Sequence, residues 1–195
     1  MSYSRRDMLA LLSCAAVAPA LPAFAAAPGA AAKSRLTAYV FSFEGLEGGA
    51  IDLAKFAGKP VLVVNTASLC GYTPQFGGLQ VLWERYRKRG LTVVGVPSND
   101  FGGQEPGTAK DIAHVAHASY GVTFPLAAKV AVRGPNAHRF YKWAAAERPA
   151  ETPQWNFHKY LIGTDGSIAA VFPTGTEPGA PQVIAAIEKQ LGGEG

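Results

Sequence analysis

Short apolar runs alternate along the chain with stretches whose apolar residues recur every three or four positions. From Tyr39 to Gly45 apolar and polar side chains alternate, and Gly48-Gly49 leads into Ala50-Ile51-Asp52-Leu53, so the domain is expected to open with a β-hairpin. Residues 61–66 form a β-branched apolar run that reads as a buried strand. A helix should follow, with Thr73 as its cap and Pro74 at its first position. Phe76, Leu79, Leu82, Trp83 and Tyr86 would share one face, and Gly90 would end it. Residues 91–96 repeat the strand pattern, and strand, helix and strand together make a βαβ unit with a parallel pair.

Further along, Thr108 is placed to cap a helix over 110–118, residues 130–132 suggest a short strand, and 136–145 a helix. Two runs at 160–162 and 168–172, joined by Thr164-Asp165-Gly166-Ser167, predict a hairpin, and 182–191 a final helix. The expected architecture is α/β, a mixed central sheet with helices on both faces. With 195 residues the chain holds one such domain, residues 36–193, behind an N-terminal extension. A domain of that size buries roughly 70% of its unfolded surface and needs no disulfide or structural metal.

The extension has the three parts of a signal peptide. Arg5-Arg6 precedes an apolar stretch from Met8 to Val17 that is too short to span a bilayer, and Ala23-Phe24-Ala25 supplies a small-residue cleavage site, with cleavage expected after Ala25 or Ala27. Residues 1–27 are therefore read as the signal and 28–35, rich in Ala and Gly, as a flexible leader. The paired arginines resemble a twin-arginine export signal, which points to the bacterial periplasm; an ordinary secretory signal is the alternative. A lipoprotein reading that acylates Cys14 leaves too little apolar chain before that cysteine. Removal of residues 1–27 lowers the formal charge from +4 to +3. The Arg85, Arg87, Lys88 and Arg89 cluster suits a helix C-terminus, and no aromatic platform is interleaved with it, so nucleic acid is not an expected partner.

Export would leave Cys70 as the one cysteine of the mature chain. A lone thiol forms no structural bridge. Its place between a strand and a predicted helix puts it near backbone N–H groups and the positive end of a helix dipole, where a thiolate is favoured and a cysteine becomes nucleophilic. Two more polar segments have no role in the fold: Pro97-Ser98-Asn99-Asp100-Phe101-Gly102-Gly103-Gln104-Glu105-Pro106-Gly107 and Trp155-Asn156-Phe157. The Cys70 segment and the first of these follow the carboxyl ends of adjacent parallel strands, the edge at which open α/β sheets assemble sites.

Together with Tyr120-Gly121-Val122-Thr123-Phe124-Pro125-Leu126, these segments resemble the glutathione peroxidase family from about Leu36 to Phe172. The resemblance implies a thioredoxin-like fold and thiol-dependent reduction of hydrogen peroxide and organic or lipid hydroperoxides, without a prosthetic cofactor. It makes Cys70 the peroxidatic nucleophile and Gln104, Trp155 and Asn156 its polar partners. Neutral amide and indole donors are suited to a thiolate because they stabilise it without a quenching counter-charge. The expected product is a Cys70 sulfenic acid that a second thiol reduces.

The chain departs from the family pattern where many thioredoxin-using members carry a resolving cysteine: Ala116 stands at that position. By elimination the sulfenic acid must meet an external thiol, glutathione or thioredoxin, or a backbone amide, and a small thiol such as glutathione, or a mixed disulfide with a partner protein, is favoured. The same lack permits an alternative, a peroxide sensor or redox relay that passes oxidation from Cys70 to a client protein. Asp100 replaces the usual Gln and is expected to face solvent. His114 and His117 share a predicted helix face without a third metal ligand. The short segment between Lys129 and Trp155 lacks the insertion that family oligomers use, so a monomer is expected, and no stable membrane insertion remains once the signal is gone.

Overall fold

A computed structural model of the chain describes residues 36–192. The expected signal peptide and leader, with Cys14, lie outside the described residues. The first elements are a short 3-10 turn, Ala38–Val40, and the antiparallel hairpin β1 (Ser42–Glu44) and β2 (Ala50–Asp52). Then come β3 (Val61–Thr66), α1 (Gln75–Tyr86), β4 (Thr92–Pro97) and α2 (Ala109–Ala113), which runs on as a π-helical stretch, His114–Ser119. The chain continues through α3 (Arg139–Glu147), β5 (Lys159–Ile162), β6 (Ile168–Phe172) and α4 (Pro181–Gln190).

The main sheet has the order β4-β3-β5-β6, with β3 parallel to β4 and antiparallel to β5. Every residue of β3 and β4 is buried, which explains their unbroken apolar reading: both faces of these strands are covered. Alternate residues still divide between two cores. Leu62, Val64, Val93 and Leu161 pack with Phe76, Leu79 and Leu82 of α1 and Val183 and Ile187 of α4. Val61, Val63, Val94, Val96 and Tyr160 face the hairpin and Phe140, Tyr141 and Trp143 of α3. The outer edge of β4 is met by the 124–127 segment, whose Pro125 and Ala127 exchange hydrogen bonds with Gly95. A Cβ at Gly95 would stand 2.6 Å from Leu126 Cδ2 and 3.2 Å from Phe124 Cε2, so a larger residue here must displace both side chains.

Four expectations need correction. Residues 130–132 form no strand; Val132 N–H and Arg133 N–H are turned instead onto the carboxylate of Asp100, at 2.6 and 3.1 Å. Asp100 is accordingly half-buried within its loop and does not face open solvent. α3 starts at Arg139, three residues later than expected, because residues 134–137 are spent in a turn before the cap at His138. Thr73 does not cap α1, whose N-cap residue is Pro74; its hydroxyl points back to Cys70. Thr108, in contrast, forms a full capping box with Asp111.

Candidate functional site

Cys70 sits in the turn between β3 and α1 and is 7% exposed. The turn is closed by its own residues. The Thr73 hydroxyl accepts from Cys70 N–H at 3.0 Å and lies 2.7 Å from the Cys70 carbonyl and 2.9 Å from that of Ala67, one of which takes its proton. Tyr72 N–H donates to Cys70 Sγ at 3.4 Å. A backbone donor aimed at sulfur offers more to a thiolate than to a neutral thiol. Leu69 and Tyr72, on either side of Cys70, are exposed.

Gln104 is brought to this turn through its backbone, whose carbonyl accepts from Leu69 N–H at 3.0 Å. Its side chain meets Asn156, Nδ2 of which donates to Gln104 Oε1 at 2.9 Å. With its oxygen occupied, the Gln104 amide has its Nε2 hydrogens left for another acceptor. Asn156 is fully buried and its Oδ1 has no partner. Trp155 is 38% exposed and therefore no core residue; its ring lies 5.9 Å from that of Phe101. Of the three polar partners expected from the sequence, Gln104 meets the Cys70 turn through its backbone and Asn156 meets Gln104, while Trp155 packs against Phe101. The bonds that join them run between Gln104, Asn156 and the backbone of Leu69, while Sγ is met by a backbone N–H.

Strand geometry accounts for the meeting. β3 and β4 end at the same edge of the sheet, and β5, antiparallel to β3, begins there, so residues 155–158 arrive beside the loops that follow β3 and β4. The 155–158 segment is held in an unfavourable backbone shape. Phe157 has φ 62°, the one positive value outside glycine among the described residues, a conformation that costs about 1–3 kcal/mol. Its N–H donates to Asn65 O at 2.6 Å, its carbonyl accepts from Lys159 Nζ at 2.7 Å, and its buried ring packs edge-on against Phe76. Asn65 also donates through Nδ2 to the Trp155 carbonyl at 3.1 Å.

Sequence reasoning missed the parts of Thr73, Phe157 and Lys159. Lys159 carried a readable signal, a lysine at the head of an apolar strand run, and it is fully buried; burial lowers its pKa to about 8, against the opposing pull of Glu177. Glu105, next to Gln104, is also buried. Desolvation raises its pKa, and the Ser68 hydroxyl, which lies against it outside strict hydrogen-bond geometry, offsets part of that rise with Ser68 N–H and Lys129. His117 bonds the Val122 carbonyl through Nδ1 at 2.6 Å, and no metal-binding group of three ligands occurs among the described residues.

Residues 38–145 match the Glutathione peroxidase family. The hydroperoxy fatty acid reductase gpx1 of Synechocystis is 43% identical over 82% of this chain and 99% of its own length. The chain belongs to the glutathione peroxidase family. Among solved structures, Trgpx in its apo form is similar at a TM-score of 0.64, with 35% identity over 80% of this chain and 97% of the other. A thioredoxin-family thiol:disulfide interchange protein from Chlorobium tepidum matches at a TM-score of 0.57 and 16% identity, over 77% and 92% of the two chains. The latter likeness is one of fold, and with it the glutathione peroxidase domain described here is thioredoxin-like.

Family membership makes Ala116 more informative. It is fully buried in the same apolar cluster as Cys70, in the π-helical stretch after α2. Cys70 is the free cysteine of the described residues. The described domain therefore holds one thiol, and no second cysteine stands at position 116.

Proposed function

We propose that this peroxidase runs a one-cysteine cycle on Cys70. The Cys70 thiolate attacks the terminal oxygen of a hydroperoxide, the S–O bond forms as the O–O bond breaks, and the departing alkoxide takes a proton to leave as alcohol. An external thiol then attacks the sulfenic sulfur, forming a mixed disulfide and releasing water. A second thiol displaces the first as a disulfide and restores Cys70. Gln104, Trp155 and Asn156 supply neutral donors around the sulfur. The observation that carries this reading is the Asn156–Gln104–Leu69 chain of hydrogen bonds, which draws two segments distant in sequence to the turn of the one cysteine among the described residues.

Organic hydroperoxides suit the surroundings. Leu69, Tyr72 and Trp155 account for three of the six large apolar side chains exposed among the described residues. A cleft of about 430 Å³ beside Trp155 is walled by His158, Val171 and Pro173 and can shelter a hydrocarbon chain. The buried Ala116 favours a small thiol such as glutathione over thioredoxin. It also keeps the sensor or relay as a second reading. Hydroperoxide consumption by the full chain with Cys14→Ser, given glutathione or a thioredoxin system, separates the two. Sustained turnover with glutathione, abolished by Cys70→Ser, is the expected result; one equivalent consumed with neither reductant sustaining turnover would transfer the assignment to the sensor.

Export by way of residues 1–27 to a bacterial periplasm, with a monomeric mature domain, completes the proposal. The Arg5-Arg6 pair ahead of an apolar run and the short segment between Lys129 and Trp155 support these two points. Cell fractionation, with Arg5→Lys and Arg6→Lys retaining the protein in the cytoplasm, and sedimentation of the mature chain test them.

A further inference from the structure

A second cleft, of about 330 Å³, adjoins the apolar one and differs from it in chemistry. It shares Thr152 and Gln154 with its neighbour, but its remaining polar wall is Arg133, Tyr141 and Lys142. Arg133 and Lys142 enter no ion pair among the described residues, and no carboxylate lines the cleft. The nearby carboxylate of Asp100 is occupied by the N–H groups of Val132 and Arg133. Arg133 itself is anchored: its guanidinium donates to the Asp100 carbonyl at 2.6 Å and lies 4.7 Å over the Phe101 ring. Phe101 in turn contacts Trp155. Tyr141 is 3% exposed, and its hydroxyl is buried without a hydrogen-bond partner.

Two cations outside any ion pair, an orphaned hydroxyl and the Thr152 hydroxyl, which accepts from Gln154 Nε2 and keeps its own proton to donate, form around one cavity the donor set that an anion needs. From them we infer a carboxylate-anchoring subsite beside Gln154, formed by Arg133, Tyr141 and Lys142, that orients a reactant of the Cys70 cycle. The inference rests on the peroxidase reading and adds to it a recognition element remote from the sulfur. Two reactants bring a carboxylate: a hydroperoxy fatty acid, whose peroxide lies between its carboxylate and its hydrocarbon end, and a peptide thiol reductant such as glutathione. The apolar cleft that Trp155 lines lacks a Lys or Arg and carries Glu151, so the charged end of either is directed to its neighbour.

The test compares acid with ester in two arms, in the full chain and in R133Q/K142Q. One arm uses linoleic acid hydroperoxide and its methyl ester with 2-mercaptoethanol as reductant; the other uses glutathione and its diethyl ester with cumene hydroperoxide. Loss of charge-assisted hydrogen bonds from one carboxylate is expected to lower the acid-to-ester ratio of kcat/KM about tenfold in one arm, which identifies the source. K142R, which keeps the charge, is expected to retain the ratio. An unchanged ratio in both arms overturns the subsite, even if overall activity falls. Turnover of cumene hydroperoxide with 2-mercaptoethanol by the unaltered chain tests the peroxidase reading separately. If that turnover is absent, calorimetric titration of S-methylglutathione and of decanoate decides the subsite alone: about tenfold weaker binding of one of them to R133Q/K142Q upholds it, and equal binding of both overturns it.

Discussion

The turn that carries Cys70 closes within residues 67–73, whereas the segment that carries Trp155 and Asn156 is tied to residues 90 and 52 positions away. On the first side a threonine hydroxyl and a backbone N–H hold Cys70 itself, and Leu69 N–H adds one tie to the Gln104 carbonyl. On the second, a buried asparagine, a buried lysine and a phenylalanine with positive φ are held against their intrinsic preferences by the packed sheet. The nucleophile's geometry is thus local and its polar partners are a product of the whole fold. Variants on the two sides should fail in different ways.

The largest effect is expected at Phe157. Truncation to Ala removes a buried ring from the contact with Phe76 while leaving a non-glycine residue at positive φ, so a loss of about 3–5 kcal/mol is expected in denaturant unfolding. A loss below about 1 kcal/mol would break the claim that this side depends on global packing.

Acidification probes the same side. Burial, with a smaller contribution from the adjacent Lys159, lowers the pKa of His158 to about 4 from an ordinary 6.5. Between those values the unfolded chain binds more protons than the folded one, so stability rises with pH across the window and is lost as pH falls through it, by up to about 3 kcal/mol. His158→Phe should flatten that slope. A slope unchanged in the variant would assign the acid sensitivity to other groups.

Asn156→Ala sharpens the contrast in activity. Without its donor to Gln104 the side-chain amide of Gln104 loses its orientation, and kcat/KM is expected to fall about 100-fold, equivalent to about 2.7 kcal/mol. The smallest effect is expected on the local side: Thr73→Val keeps the shape but leaves Cys70 N–H without its acceptor, costing about 1–2 kcal/mol of stability. An effect of Thr73→Val larger than that of Phe157→Ala would reverse the comparison.

The same division explains what the sequence discloses. Cys70, Gln104, Trp155 and Asn156 stand out as polar or reactive residues in three motifs, and the parallel β3–β4 pair follows from two apolar runs around a helical pattern. The function assigned to Thr73 did not follow, because a Thr-Pro before a helix reads as a cap until the hydroxyl is seen turned toward Cys70. Nor did the path of residues 130–133. Val130 to Val132 has strand propensity, but the Asp100 carboxylate offers its N–H groups a different acceptor, and that pairing spans more than thirty positions. Propensity describes neighbours, while this site is completed by residues that are neighbours only after folding.

The most direct test of the central claim is the fate of the Cys70 sulfur. The full chain with Cys14→Ser is mixed with one equivalent of hydroperoxide, then with glutathione, and peptide masses are read at each step. A one-cysteine cycle leaves a single added oxygen on Cys70 after the first step and a glutathione mixed disulfide on the same residue after the second. Peroxide consumed while Cys70 stays unmodified, or consumed equally fast by Cys70→Ser, would contradict it.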